Sequence, residues 1–212
     1  QNGNLINLDE YKKFKEYVNN FYDRIVPKQV SGKKVGRDVP NSTKDSWYQF
    51  GRTQALTEFN DQEKLIVGVM SKEPMFMYDN NNLVIQSGGT AGYCGIKLNK
   101  NSKYNLFFLQ AYLSHPLMTS VMECLGSDCE GGFYSRGTQV LNKLPVIDID
   151  FSNEIENNIY NQIVSDVIKI NKLNDELIKN QNLESISLTN RIKDDLIRKI
   201  NNNITKLIDM KG

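Results

Sequence analysis

Apolar residues recur at helical spacing near the start of the chain. Tyr11, Phe14, Val18, Phe21, Tyr22 and Ile25 fall on one stripe, Asn7 and Glu10 have capping-box spacing, and Pro27 supplies a stop. The pattern predicts an amphipathic helix over residues 8–25. The run from Lys64 to Met70 is continuous and apolar, as in a strand buried on both faces. Phe76–Asp79 and Leu83–Gln86 flank Asn80, Asn81 and Asn82, which reads as a hairpin, and Tyr93–Leu98 reads as a further strand after the glycine-rich turn at residues 87–92. From Tyr104 the spacing of Leu106, Leu109, Leu113, Leu117 and Val121 is helical, with Pro116 as a kink or boundary. Two long stripes follow, Ile155 to Leu177 and Ile192 to Ile208, predicting helices over 153–178 and 190–208 that can pair antiparallel. The whole reads as an α+β fold: a mainly antiparallel β core with an N-terminal helix, a packed internal helix and a C-terminal pair of long helices. Residues 1–27, 28–150 and 151–212 are its three expected parts.

Two short segments break the simple alternation of core and surface. Trp47-Tyr48-Gln49-Phe50-Gly51-Arg52-Thr53-Gln54-Ala55-Leu56 concentrates aromatics, glycine, arginine and glutamine just before the buried run, and Gly131 to Gln139 repeats that chemistry with Tyr134, Ser135, Arg136, Thr138 and Gln139. In an extended segment Trp47 and Gln49 share one face while Tyr48, Phe50 and Arg52 share the other. Arg and Gln pair with guanine and adenine edges, so a nucleic acid is the first partner to consider; a half-buried strand with a solvated arginine is the competing reading. Upstream, Lys28 to Lys44 lacks apolar periodicity and reads as a mobile loop. Lys28, Lys33, Lys34, Arg37, Lys44 and Arg52 outweigh Asp38 and Asp45 between residues 28 and 52, a local excess suited to phosphates.

Composition narrows the classes. Lys and Arg number 26 against 25 Asp and Glu, so any DNA-binding face must be local. No run approaches the roughly 18 apolar residues of a membrane span, and no charged-then-apolar leader opens the chain, so a cytoplasmic protein without membrane contact is expected. Cys94, Cys124 and Cys129 are odd in number and lack metal-ligand spacing, so free thiols are expected. The single His115 has no nucleophile motif around it and reads as a satisfied side chain. Neither a P-loop nor a dinucleotide fingerprint occurs; Gly88, Gly89 and Gly92 read as turn residues.

Taken in order, the helix, Trp47-Tyr48-x-Phe50-Gly51-Arg52, the buried strand, the hairpin, Gly92-Tyr93-x-Gly95-Ile96, the internal helix, Gly131-Gly132-Phe133-Tyr134 and Leu144-Pro145 resemble the TaqI-like C-terminal specificity domain over residues 8–150. That is the target-recognition domain of adenine-specific DNA methyltransferases, including the fused type IIG restriction-modification enzymes, and is akin to type I specificity subunits. Gly68-Val69-Met70 departs from the family where a proline often stands, as does Cys94. The resemblance implies double-stranded DNA as partner, with Lys33, Lys34, Arg37, Lys44, Tyr48, Arg52, Gln54, Tyr134, Ser135, Arg136, Thr138 and Gln139 as DNA-binding candidates. It also implies a methyltransferase domain elsewhere that holds S-adenosylmethionine. No Pro-Pro occurs here for the family's adenine-holding motif, so this segment is expected to be non-catalytic and to hold neither cofactor nor metal. A helical protein–protein or specificity-subunit module, with helix-mediated self-association, is the alternative.

Overall fold

The computed structural model describes residues 5–34, 36–39, 41–49, 59, 61–85, 92–179 and 182–212, and the chain divides into two compact units, 1–60 and 61–212. Contacts therefore divide the chain once, whereas the boundaries expected at 27/28 and 150/151 separate it by composition.

In the first unit the expected helix over 8–25 is three pieces. A 3₁₀ turn at Leu8–Glu10 is followed by α1 (Lys12–Asn20) and α2 (Tyr22–Ile25). Breaks fall at Tyr11 and Phe21, whose amides turn back onto Leu8 O and Val18 O in tightened, 3₁₀-like bonds. Asn7 does cap, but its side chain accepts from the Asp9 amide (3.1 Å), leaving the expected reciprocal pairing with Glu10 unformed. After Pro27 comes a short helix α3 (Lys28–Ser31) inside the segment read as loop. It closes on Gly32 at φ 69°, whose left-handed conformation lets its amide reach Lys28 O (2.9 Å). Val18, Val26 and Trp47 form the small core, backed by Leu8, Ile25, Val30 and Tyr48. Trp47 reaches it from a turn and not from the extended segment expected: Ser46 Oγ accepts from the Thr43 amide (2.8 Å) and the Gln49 amide bonds Ser46 O (3.0 Å), coiling the chain where alternation would need it straight.

The second unit is built on β1 (Lys64–Gly68), the centre of an antiparallel three-stranded sheet between β3 (Met77–Asp79) and β4 (Tyr93–Ile96). Register pairs Lys64 with Asp79, Leu65 with Tyr78 and Ile96, and Val67 with Cys94. The apolar run then changes sheets. Val69 donates to Gly92 O (3.0 Å) and accepts from the Arg136 amide (2.6 Å), and β2 (Met70–Ser71) joins a second antiparallel sheet with β6 (Phe133–Ser135) and β5 (Asp128–Cys129). The predicted hairpin over 76–86 does not form, because Leu83–Ile85 lie in no strand. The Asp79 carboxylate accepts from the amides of Asn81 and Leu83 (3.0 Å each), and Asn82, at φ 56°, pairs reciprocally with Asp61 (2.9 Å), which pins the asparagine tract to the chain ahead of β1.

Helices cover the first sheet. The expected helix through Pro116 is two, α4 (Leu106–Ser114) and α5 (Pro116–Leu125), because proline takes the first position of a new helix capped by His115. A short α6 (Thr138–Leu141) and a strandless passage lead to α7 (Glu154–Lys179) and α8 (Leu183–Asp209). The two long helices run antiparallel: Asp166 meets Lys199 (2.9 Å) while Glu156 meets Lys211 (2.7 Å). The second helix starts earlier than predicted because Asn182 caps it, accepting from the amides of Glu184 and Ser185. Leu65, Val67, Phe108, Leu113, Met118, Met122, Ile163, Val167, Ile204 and Leu207 share one continuous core. The fold is thus α+β with antiparallel pairing and a long C-terminal helical pair, as expected, while the division of the strands into two sheets is not foreshadowed in the sequence.

Candidate nucleic-acid interface

The candidate residues fall in both units. In the first, Lys33, Lys34 and Lys44 are exposed, as phosphate contacts require. Lys33 also lies 2.9 Å from Asp23, a surface ion pair weak enough for a phosphate to exchange into. Arg37 is placed otherwise. Its Nη1 donates to Gln49 O (3.0 Å), its Nη2 to Trp47 O (2.8 Å) and its Nε to Ile25 O, while its carbonyl accepts from the Lys28 amide (3.0 Å). The guanidinium is a clamp that ties the Trp47 turn to the end of α2 and closes the loop carrying Lys33 and Lys34. Tyr48 turns inward as well, its hydroxyl donating to Ile6 O. Burial, with the nearby Asp45 and Asp9 charges, pushes its phenol up. Arg52 and Gln54 lie outside the described residues.

In the second unit Arg136 has 0% exposure, which runs against the base-reading role expected of it. Its Nη1 donates to Ser71 O, Ser71 Oγ (3.0 Å) and Tyr134 O (3.4 Å), and its Nη2 to Lys72 O (2.9 Å). Burial pulls the guanidinium down from its ordinary range, and the Glu123 charge offsets part of that. Fully buried and turned onto backbone carbonyls, the guanidinium is out of reach of a base edge, even though its Nε has no hydrogen-bond partner. Tyr134 is half-buried with the Arg136 guanidinium over its ring, 5.7 Å from the centroid, and Ser135 Oγ accepts from the Ser127 amide (2.9 Å). Thr138 and Gln139 are exposed at the start of α6.

Strand register explains these placements and shows what residue types alone concealed. Opposed residues in an antiparallel pair point to the same face. Ser71 and Asp128 both oppose Tyr134, so the three share the face that Arg136 occupies; Cys129 and Phe133 share the other. One step past Ser71, Lys72 continues that outer row, its ammonium 5.5 Å from the centroid of the Phe133 ring. Phe133 is 38% exposed and Lys72 is exposed. Counting alternation outward from buried Arg136 would have singled out Phe133.

The remaining candidate chemistry is structural. His115 Nδ1 accepts from the Leu117 amide (3.2 Å), which leaves the proton on Nε2 to face Thr205 Oγ1 (3.2 Å). All three cysteines are free thiols; burial pushes Cys94 up and the Thr138 amide offsets part of the shift. Lys64 and Asp79 form a buried ion pair (2.6 Å). Burial pushes the Asp79 carboxyl up, but Lys64 and the two amides it accepts from outweigh it and hold it below the usual range. Among the described residues no group of His, Cys, Asp or Glu converges to hold a metal ion, and no helix is long and apolar enough to cross a membrane.

Fold and surface together define an α+β module with lysines raised on one clamped loop and an aromatic–lysine row on a small sheet. Over 186 residues, 87% of its length, the chain is 30% identical to the type II restriction enzyme and methyltransferase RM.Eco57I of Escherichia coli. It is thus similar to one segment of a restriction-modification enzyme, spanning about a fifth (19%) of that relative's length. No family model matches the chain.

Proposed function

We propose that this chain is the DNA target-recognition segment of a restriction-modification enzyme, non-catalytic by itself, whose methyltransferase domain and S-adenosylmethionine site lie elsewhere in the parent. The observation that carries the reading is the 30% identity along nearly the whole chain to part of a restriction enzyme and methyltransferase. The order of motifs, which resembles that of TaqI-like specificity domains, supports an adenine-specific parent of the type IIG kind. Exposed Lys33, Lys34 and Lys44 on the loop closed by Arg37 supply phosphate contacts, and Thr138 and Gln139 supply polar groups for bases. Such a protein works in the cytoplasm, beside its DNA.

Titration of the chain with duplex DNA at two salt concentrations tests the reading. Affinity should fall steeply with salt, and Lys33→Ala and Lys34→Ala should each flatten the logarithmic slope by roughly one while leaving sequence preference alone. Salt-independent association, or none, would sink the proposal. A second reading, a helical interaction module, draws on Ile178, Leu183 and Leu188, which are exposed toward the joined ends of α7 and α8; concentration-dependent sedimentation without DNA binding would favour it.

A further inference from the structure

The Lys72–Phe133 row on the outer face of the second sheet is not among the DNA-binding candidates that the motifs supply, yet it has what a base-reading element needs. Two short strands, β5 and β6, are joined by Glu130, Gly131 and Gly132, with both glycines at positive φ (81° and 74°), a conformation that makes the turn tight. The hairpin is held from behind. Arg136 fixes Ser71, Lys72 and Tyr134 through their carbonyls, and the Ser127 amide is bonded to Ser135 Oγ. What this scaffold presents outward is the Phe133 ring with the Lys72 ammonium beside it.

We propose that Lys72 and Phe133 contact base edges in the major groove of duplex DNA and set part of the sequence preference, with Arg136 as their positioning residue. The inference rests on the DNA-recognition reading and assigns it an element. A two-stranded ribbon fits the major groove, a phenylalanine ring packs on a thymine methyl, and a lysine donates to guanine O6 and N7. The charge pattern favours bases over phosphates: Asp128 and Glu130 stand on the same hairpin and Glu73 follows Lys72, a mixture that a phosphate row repels but base amino groups tolerate. The lysines of the first unit, on a loop with a local basic excess, suit the backbone. Phosphate grip and base readout are in this way carried by different units.

Selection of preferred duplexes from a random-sequence pool by the 212-residue chain, followed by titration of single-base variants, tests the assignment. Phe133→Leu and Lys72→Gln should each reduce discrimination at a defined base pair about ten-fold, with melting temperature unchanged because both side chains are exposed. Phe133→Tyr, which keeps the ring, should retain the preference. In the selected duplex, replacing thymidine by deoxyuridine at one position should weaken wild-type binding and leave Phe133→Leu binding unaffected, a coupling that a purely structural phenylalanine would not produce. Should Phe133→Leu fail to fold, Lys72→Gln and the deoxyuridine effect on the wild type decide. Preference retained in both variants, or no methyl effect at any position, overturns the hairpin assignment alone. Failure of the wild-type chain to select any sequence overturns the recognition reading and this inference with it.

Discussion

Two arginines that sequence chemistry offers to DNA are spent on the protein's own backbone. Arg37 and Arg136 each direct several donors at carbonyls, and each closes the segment that carries an exposed lysine, Lys33 and Lys34 in one case and Lys72 in the other. Residue type could not separate the roles, because the same fork of five donors serves a guanine edge or a carbonyl cluster. His115 was legible: a lone histidine before proline is satisfied on both nitrogens. Burial pulls its imidazole below the ordinary value of 6.5, against the partial opposition of the Asn201 carbonyl. The unfolded chain therefore takes up the proton first. Stability is full above about pH 6.5 and is lost as pH falls from there toward the lower folded value. His115→Asn, which caps as well and does not titrate, should flatten that loss. Melting temperatures from pH 7.5 to 5 check it; parallel curves for the two proteins would remove His115 as the cause.

Elements were legible where a single periodicity ran undisturbed, as in α7 and α8. They were misread where local polar groups redirected the chain: the Asp79 carboxylate and the Asn82–Asp61 pair undo a hairpin, and Ser46 coils the Trp47 turn. The sheet change at Val69 was invisible, since β1 and β2 read as one apolar run. Gly126, between α5 and β5, was likewise unmarked. A Cβ there would stand 2.5 Å from Ser135 O and 3.0 Å from Met122 O, both backbone atoms, so something in the scaffold must shift. Gly126→Ala should cost about 1–3 kcal/mol, as overpacking does, and should displace β6 with the Phe133 row. Urea unfolding measures the cost, and an unchanged midpoint would mean that the α5 end relaxes freely.

At the scale of the molecule, composition suggested a helical appendage after residue 150, but packing makes α7 and α8 part of the second unit's core. Tyr160, Ile163, Val167, Ile200, Ile204 and Leu207 are buried in it, and the Tyr160 hydroxyl accepts from the Asn105 amide (2.6 Å) at the start of α4. Polar contacts extend the join: Gln110 on α4 donates to Phe76 O (2.9 Å) and accepts from Asn171 on α7 (2.9 Å). Burying one large apolar side chain stabilises by about 1.5–3 kcal/mol. Six of them together are of the same order as the roughly 5–15 kcal/mol that separates a folded domain from its unfolded chain. Truncation after residue 152 should therefore abolish cooperative folding of residues 61–152, with the small sheet lost along with the core beneath it. The measurement is the urea transition, whose slope scales with the surface exposed on unfolding. A truncated chain that kept a cooperative transition with a slope in proportion to its length would show that the helices are an appendage after all. Loss of the transition, together with loss of sequence preference in DNA binding, would place readout and the helical pair in one folding unit.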